Sequence, residues 1–588
     1  MPNSHSAIVL RDRTLLALIG GVAGVAAWVL VDILPDRVEN ERLLLFLVAA
    51  TGGFFAAFLA ATGPLSFLRA ALAAAVAALP AAGLLTWASL RHDVVDDFLT
   101  TLHPMLAFGL IVVISLPFLI AAQREGEGWH NYPALFTQSW NIVVRYAAAW
   151  LFVAVFWGVV FLSDALFGLV GLDIIEELLE IDPVPFVLTG AVLGLALAVV
   201  VELSDYVSPF LILRLLRLLI PVVLVVTAVF LVALPFRGLS DLFGGFSAAA
   251  TLLAMAIGIA TLISSALDRS DAEAAEAWVL RISSQLLSLA MPVLAGLALH
   301  AVWLRVQDHG WTPDRIAAAC AALVALGYGV SYALAVLLRR NWMQRVRQAN
   351  IAMALVVIAM SAVWLSPLLN PERLSAASQV ARFARGDVSA DRLDLWFIRH
   401  ELGRAGPDAI DKLKALDHPD AEALRSRIAA LEEAGSRHGF EAPAGEDARE
   451  LIARITEQAV VLPEGSVLPD DAFEAVFASQ LRDWAEGCAR QTPLGNPGCV
   501  LVVTDFVVTR PGDEALLFWL RDAGTAVIDV VFPGEPTAGF AGPVYLGGSG
   551  EFDITPATLD ALQTGSFSIE PAEIMSLSVG TARIILRP

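Results

Sequence analysis

The residues best placed to do chemistry are ionisable groups in apolar surroundings, because a charge inside lipid is costly and is retained for a purpose. Asp164 stands within a long apolar run. Glu202 and Asp205 close another run and share a helix face at i, i+3, while Arg214 and Arg217 open the next with the same spacing. Two acids facing two arginines across a helix–helix turn predict an ion-paired cluster. Such a cluster serves either as a structural tie or as a proton- or ion-linked gate. A second candidate cluster gathers His300, Asp308, His309, Tyr328 and Tyr332 at an outer face of the membrane. These groups either line a cavity there or hydrogen-bond in the interfacial belt.

Familiar catalytic patterns are missing. The chain has two lysines, Lys412 and Lys414, and neither follows a glycine-rich loop, so there is no Walker-type phosphate cradle. His400-Glu401 has no second histidine four residues on, and Gly547-Gly-Ser-Gly550 lacks the spacing of a nucleophile elbow. No metal-ligand spacing and no cofactor motif is present. The net charge of -21 argues against nucleic acid as a partner, since phosphate binding needs a basic surface.

The elements that must carry these residues follow from composition. Of 588 residues, 57% are hydrophobic and 16% charged, with a mean hydropathy of +0.69. Soluble chains run about 45–50% apolar and about 25% charged, so the expected partner of this surface is the lipid bilayer. Eleven stretches are long and apolar enough to cross it: 14–34, 43–62, 67–88, 101–121, 146–170, 184–202, 214–235, 246–267, 284–304, 315–338 and 349–369. With the N-terminus in the cytoplasm, 13 arginines fall on the cytoplasmic side and 6 opposite, as the positive-inside rule requires. The cluster Arg339-Arg-Asn-Trp-Met-Gln-Arg-Val-Arg347 is the strongest single indication. An odd number of spans then puts the tail outside the cytosol, which in a bacterium is the periplasm. Gly20-x-x-x-Gly24 and Gly190-x-x-x-Gly194 are small-residue pairs that let helices pack closely.

The composition changes near Leu369-Asn370-Pro371, after which the chain holds 34 acidic and 19 basic residues. Residues 371–460 read as helical, with a linker around 435–447; residues 461–588 read as α+β, with a helix over 470–487 and strands at Val500–Val508, Ala526–Phe532, Pro543–Leu546 and Ala582–Leu586. The fold expected is thus an α-helical polytopic membrane bundle over 1–370 with a C-terminal soluble α+β domain. Of three cysteines, Cys320 lies in a span, and Cys488 and Cys499 flank a Pro- and Gly-containing loop that suits a disulfide in an oxidising compartment.

Three stretches carry a family resemblance: Pro185-Phe-Val-Leu-Thr-Gly-Ala-Val-Leu-Gly194, Val207-Ser-Pro-Phe-Leu-Ile-Leu-Arg-Leu-Leu-Arg-Leu-Leu-Ile-Pro221, and Trp303-Leu-Arg-Val-Gln-Asp-His-Gly-Trp-Thr-Pro-Asp-Arg315 with Tyr328 and Tyr332 downstream. The chain resembles the bacterial domain-of-unknown-function family 4153 over roughly residues 10–370 and the start of the tail, with His309 where an aromatic is expected. The resemblance implies a multi-spanning inner-membrane protein and brings no activity with it. The third stretch also reads as a helix start: Gly310 permits a reversal, Thr312 caps, Pro313 takes the first helical position and Asp314 suits the helix dipole.

The function expected is a non-enzymatic envelope scaffold or sensor that meets a periplasmic protein partner through residues 371–588. The alternatives are a secondary transporter using the intramembrane carboxylates and a membrane-embedded transferase on a lipid-linked substrate. Oligomeric state is not legible.

Overall fold

A computed structural model of the chain describes residues 3–124, 126–202, 209–237, 248–271, 273–274, 277–433, 437, 440, 448–463, 465–466, 472–473, 476, 478–506, 513–521, 524–531, 555–567, 576–579 and 582–585. Asp205, the expected linker over 435–447 apart from residues 437 and 440, and the expected strand Pro543–Leu546 lie outside the described residues.

Among the described residues, eleven helices are long and apolar enough to cross a membrane. They are α1 (Asn3–Trp28, continued by a π turn, Val29–Ile33), α2 (Glu41–Ala61), α3 (Phe67–Ser89), α5 (Leu102–Gln123), α6 (Tyr132–Gly168), α8 (Pro183–Glu202), α9 (Pro209–Arg237), α10 (Ala248–Leu267), α11 (Trp278–His309), α12 (Pro313–Leu337) and α13 (Trp342–Leu365). Two short helices, α4 (Val95–Leu99) and α7 (Ile174–Leu179), sit in connections. The chain is therefore a multi-pass helical membrane protein. The spans match those read from the apolar runs, except that α6 begins earlier and α11 extends further at both ends. Gln138, Asn141 and Arg145 dilute the hydropathy of its first turns, yet the charge is accommodated: the half-buried Arg145 guanidinium donates to the Thr62 carbonyl at 3.2 Å. At 37 residues α6 is about 55 Å long, well beyond the ~30 Å of hydrocarbon.

Packing follows side-chain size. On α3, Ala70, Ala73, Ala74, Ala77, Ala78, Ala81 and Ala82 form a buried stripe against the small face of α2 at Ala57, Ala60 and Ala61. The stripe lets two backbones approach without hydrophobic drive from water, which lipid does not supply. On α1 and α8 the two small-residue pairs meet each other. A Cβ built on Gly190 would lie 2.1 Å from the Gly20 carbonyl oxygen, and one on Gly24 would lie 2.2 Å from that of Phe186. Large apolar side chains on α6 and α9, among them Leu151, Phe161, Val222 and Val229, are exposed and form a surface suited to lipid.

The chain divides into two compact units, Met1–Arg425 and Ser426–Pro588. Pro371, where the apolar pattern ends, lies inside the first unit, because the helices α14 (Pro371–Ala384), α15 (Leu395–Glu401) and α16 (Ala405–Ala415) belong to it. The connections alternate between two ends of the bundle. We call them the α14 end and the basic end, the latter carrying Arg13, Arg217, Arg269 and Arg347.

Helix α17 (Ala421–Glu433) crosses the boundary between the units. The second unit has α18 (Ala448–Gln458), α19 (Ala478–Cys488), α20 (Pro556–Gln563) and a four-stranded sheet in the order β1-β2-β3-β4. Its strands are β1 (Val460–Leu462), β2 (Cys499–Thr504), β3 (Glu514–Leu520) and β4 (Ala526–Val531), with β1 parallel to β2 and the other pairs antiparallel. A separate hairpin joins β5 (Ser576–Val579) and β6 (Ala582–Ile585). The central strand β3 is not among the expected strands. Its run Ala-Leu-Leu-Phe-Trp-Leu does not alternate, because both faces of the strand are covered. The indoles of Trp484 and Trp519 both donate to Asp529 Oδ2 at 2.8 Å, which satisfies a carboxylate beside the core.

Candidate functional site

Helices α5, α6, α10, α12 and α13, with Met291 of α11, line a cavity of about 910 Å³ that opens to the surface past exposed wall residues such as Val113 and Ile257. That is near the upper end of the range for small-molecule sites, about 300–1,000 Å³. Its walls are apolar, with Leu110, Val113, Phe118, Phe136, Ile257 and Val357 among the lining residues. Asp314 and Tyr332 both line it and lie 18 residues apart on α12, which makes the cavity about 27 Å tall at ~1.5 Å per residue. It therefore runs nearly the full depth of a bilayer core.

The cavity floor, toward the basic end, is a ring of four polar side chains. Asn350 donates to the Tyr132 hydroxyl at 3.1 Å and to Ser264 Oγ at 3.2 Å; Tyr332 donates to Asn350 Oδ1; and Ser264 lies 3.2 Å from the Tyr332 oxygen. Counting protons closes the ring except at one point. Tyr332 gives its hydrogen to Asn350, so Ser264 gives its own to Tyr332, and both amide hydrogens of Asn350 are used. The hydroxyl hydrogen of Tyr132 has no acceptor among the described residues, and Tyr132 lines the cavity. Tyr328 packs edge-on against Tyr332, centroids 5.9 Å apart, and lines the cavity as well. The floor thus offers a hydrogen-bond donor at the foot of an apolar shaft.

At the α14 end, His103 Nε2 lies 3.4 Å from Asp314 Oδ1, and the His103 ring packs on Trp364, centroids 5.7 Å apart. All three residues line the cavity. Trp364 also belongs to a buried polar clamp. Nη2 of Arg91, just past α3, reaches the carbonyls of Trp364 (2.6 Å), Ser366 (2.9 Å) and Leu369 (2.9 Å). These are among the last orphan carbonyls of α13 and the segment beyond it. Arg91 Nη1 faces Glu372 of α14 at 3.7 Å. Burial pulls the Arg91 guanidinium below its usual value and Glu372 partly restores it. The neighbouring His92 is buried too, and its imidazole is pushed below the ordinary range chiefly by desolvation. Helix α14 is fastened a second time to the turn before α12. Ser378 Oγ accepts from Trp311 N at 3.1 Å, Ser375 Oγ donates to Trp311 O at 2.9 Å and Gln379 donates to His309 O at 3.1 Å. The turn itself has the expected form: Gly310 has φ 77°, and Thr312 Oγ1 accepts from Arg315 N at 3.3 Å.

The sequence-derived clusters are distributed differently. Glu202 is bound by Arg13 of α1, with Nε–oxygen distances of 2.9 and 2.8 Å. Arg217 pairs with Asp268 and also donates to the Ser265 carbonyl at 2.8 Å and the Glu273 carbonyl at 3.2 Å. Arg347, buried, donates to Asp268 O at 3.1 Å and pairs with Asp271. Two arginines from different helices thus cap the carbonyl end of α10, where the helix dipole favours cations. Arg214 is exposed. Asp164 is half-buried near the end of α6. The register of α6 on α8 is set by Trp157 Nε1 donating to Thr189 Oγ1 at 3.1 Å. From that hydrogen bond Asp164 lies seven residues one way and Glu202 thirteen the other, roughly 30 Å apart along the axis, so they form no common cluster. The outer-face group is also separated. Asp308 and His309 meet α14 through their carbonyls and His300 is exposed. Tyr328 and Tyr332 lie at the cavity floor, about 22 to 28 Å along α12 from its start.

The structure adds Asn350, Tyr132, Ser264, Arg91, Glu372 and Asp268 to the candidate residues. Asn350 is legible in the sequence as a carboxamide inside an apolar span. Arg91 is visible there only as one charge among many. Cys488 and Cys499 form a disulfide joining the end of α19 to the start of β2, and Cys320 is free. Among the described residues, no group of three His, Cys, Asp or Glu side chains is arranged to hold a metal.

Searches of curated proteins and of solved structures give no match. The model of a domain of unknown function, DUF4153, matches residues 43–413. That match takes in α2 through most of α16, including the cavity and the clamp between bundle and α14, and the chain belongs to the DUF4153 family.

Proposed function

We propose that this chain is a non-enzymatic sensor or scaffold of a bacterial inner membrane. Its N-terminus is cytoplasmic, residues 371–588 are periplasmic, and its bundle holds an apolar molecule whose presence is passed to the tail. The observation that carries this reading is Trp364. Its side chain lines the cavity, while its carbonyl is held by the same guanidinium that faces Glu372 of α14. Occupation of the cavity and the placement of α14 therefore share one residue. The cavity floor is made of hydroxyls and a carboxamide, which suit holding an acceptor group rather than transforming it. The arginines at the basic end support a cytoplasmic placement of that end, and the disulfide supports an oxidising compartment for the second unit. Residues 371–588 are then the surface for a periplasmic protein partner.

The test is hydrogen exchange on full-length purified protein. Val324→Phe, which narrows the cavity, is expected to change protection of the 371–384 amides by about tenfold; unchanged rates in a well-folded variant would reject the coupling. A C-terminal reporter that fluoresces only under reducing conditions should stay dark, and a bright full-length fusion would reject the placement. A transporter reading is favoured by the height of the cavity. It predicts uptake that survives removal of the second unit and fails in Asn350→Leu, at the cavity floor.

A further inference from the structure

We propose that the large cavity takes an uncharged, single-chain lipid with a carbonyl at its head, which enters from the hydrocarbon side and lays that head on Tyr328. The inference names the class of molecule that the sensor reading places in the bundle, and it rests on that reading's premise that the cavity is a binding site.

The donor decides the head group. Tyr328 lines the cavity and stands outside the Asn350 ring, edge-on to Tyr332. Its hydroxyl makes no hydrogen bond among the described residues, and it is not sealed away, because the buried side-chain atoms without a partner do not include it. A phenol has one hydrogen to place, and a bare donor is tolerated less well than an unused lone pair. The group that Tyr328 calls for is therefore an acceptor. The spare hydrogen of Tyr132 is a second donor at the same floor.

The surroundings decide its charge. Among the described residues, no lysine or arginine lines the cavity. His103 and Asp314 do, but they face each other at 3.4 Å at the α14 end. Asp314 lies 14 residues before Tyr328 on α12, about 21 Å along the axis. An ionised head at the floor would lose its water and meet no counter-charge, whereas a carbonyl needs only a donor.

The opening decides the route and the tail. Two lining residues at that opening, Val113 and Ile257, are 55% and 61% exposed. Val113 stands twelfth of the 22 residues of α5, and Ile257 tenth of the 20 of α10. The opening thus lies at mid-span, at the depth of the hydrocarbon rather than at either water face. A molecule that passes there is dissolved in lipid. At about 910 Å³ the cavity has the size of a site for one small molecule, and the apolar shaft between Tyr328 and the α14 end receives its chain.

The experiment is binding of tritiated methyl stearate to the full-length protein in lipid nanodiscs, with competitors compared at equal mole fraction in the bilayer. Octadecylsulfonate and octadecyltrimethylammonium should each compete about tenfold less well than unlabelled methyl stearate, and octadecane about fivefold less well. Tyr328→Phe should weaken methyl stearate about fivefold, leave octadecane unchanged and keep the melting temperature. A charged competitor as good as the ester overturns the uncharged head. Octadecane as good as the ester, or an unaffected Tyr328→Phe variant, overturns the head on Tyr328. Equal competition by 2-pentanone overturns the chain. A prenylquinone with two isoprene units distinguishes two sources of the same chemistry: tighter binding than the ester points to quinones and weaker binding to acyl esters, and both uphold the carbonyl class. The sensor reading is read separately, by hydrogen exchange of the 371–384 amides with the ester bound. Unchanged rates there reject the coupling and leave the assignment of the cavity standing.

Discussion

Replacing Arg91 by Met is the most informative single perturbation, because one side chain ties the end of α13 to the start of α14. The substitution keeps an unbranched apolar stem and removes the guanidinium. Three carbonyls, those of Trp364, Ser366 and Leu369, then lose a charged donor, and Glu372 is left buried without its counter-charge. At 3.7 Å the pair attracts by about 4 kcal/mol at an effective dielectric of about 20. Part of this offsets the desolvation of Arg91 itself, so the expected net loss is about 3–5 kcal/mol, the usual cost of orphaning one member of a buried pair. Spread over the 425 residues of the first unit, at about 2.1 cal/mol/K per residue, that loss lowers the melting temperature by roughly 3–6 °C. The assay is thermal unfolding of detergent-purified protein for Arg91→Met, Glu372→Met and the double variant. The double variant should be less destabilised than the sum of the two, since it leaves no charge buried alone. Additive losses, or an unchanged melting temperature in Arg91→Met, would refute the clamp.

Other predictions address separate features. His92 is buried near Glu372, Asp97, Asp93 and Arg91, and its folded-state value lies below the ordinary 6.5. The unfolded chain therefore takes up the proton first. Stability present above about pH 6.5 is lost as the pH falls toward the folded value, and His92→Gln should flatten a melting-temperature profile between pH 7 and 5. Gly190→Ala places a methyl 2.1 Å from the Gly20 carbonyl oxygen, forcing α1 and α8 apart. A loss of about 1–3 kcal/mol is expected, and an unaltered melting temperature would count against that close packing. Opening the Cys488–Cys499 bridge, which spans 11 residues, should destabilise the second unit by about 3 kcal/mol, read as earlier proteolysis of that unit under reductant. Tyr132→Phe removes the cavity's uncommitted donor. It should weaken a bound molecule that carries an acceptor about tenfold and leave a pure hydrocarbon unaffected.

The amino-acid pattern alone determined that eleven helices are long and apolar enough to span, where they run, how α12 starts at Thr312, that Gly20, Gly24, Gly190 and Gly194 favour close packing, and that Cys488 and Cys499 suit a bridge. Each is a local property, set by hydropathy over some twenty residues, by a cap within one turn, or by a short loop. Partner choice among polar side chains was decided only by the tertiary structure. Glu202 turned to Arg13 rather than to the next helix in sequence, Arg217 turned to the carbonyl end of α10, and Tyr332 joined Asn350 and Ser264 instead of His300. In lipid every span is apolar, so hydropathy does not say which helices become neighbours. Only the packing of small faces against one another brings Arg91 under the end of α13 and opens the shaft that Tyr132 closes.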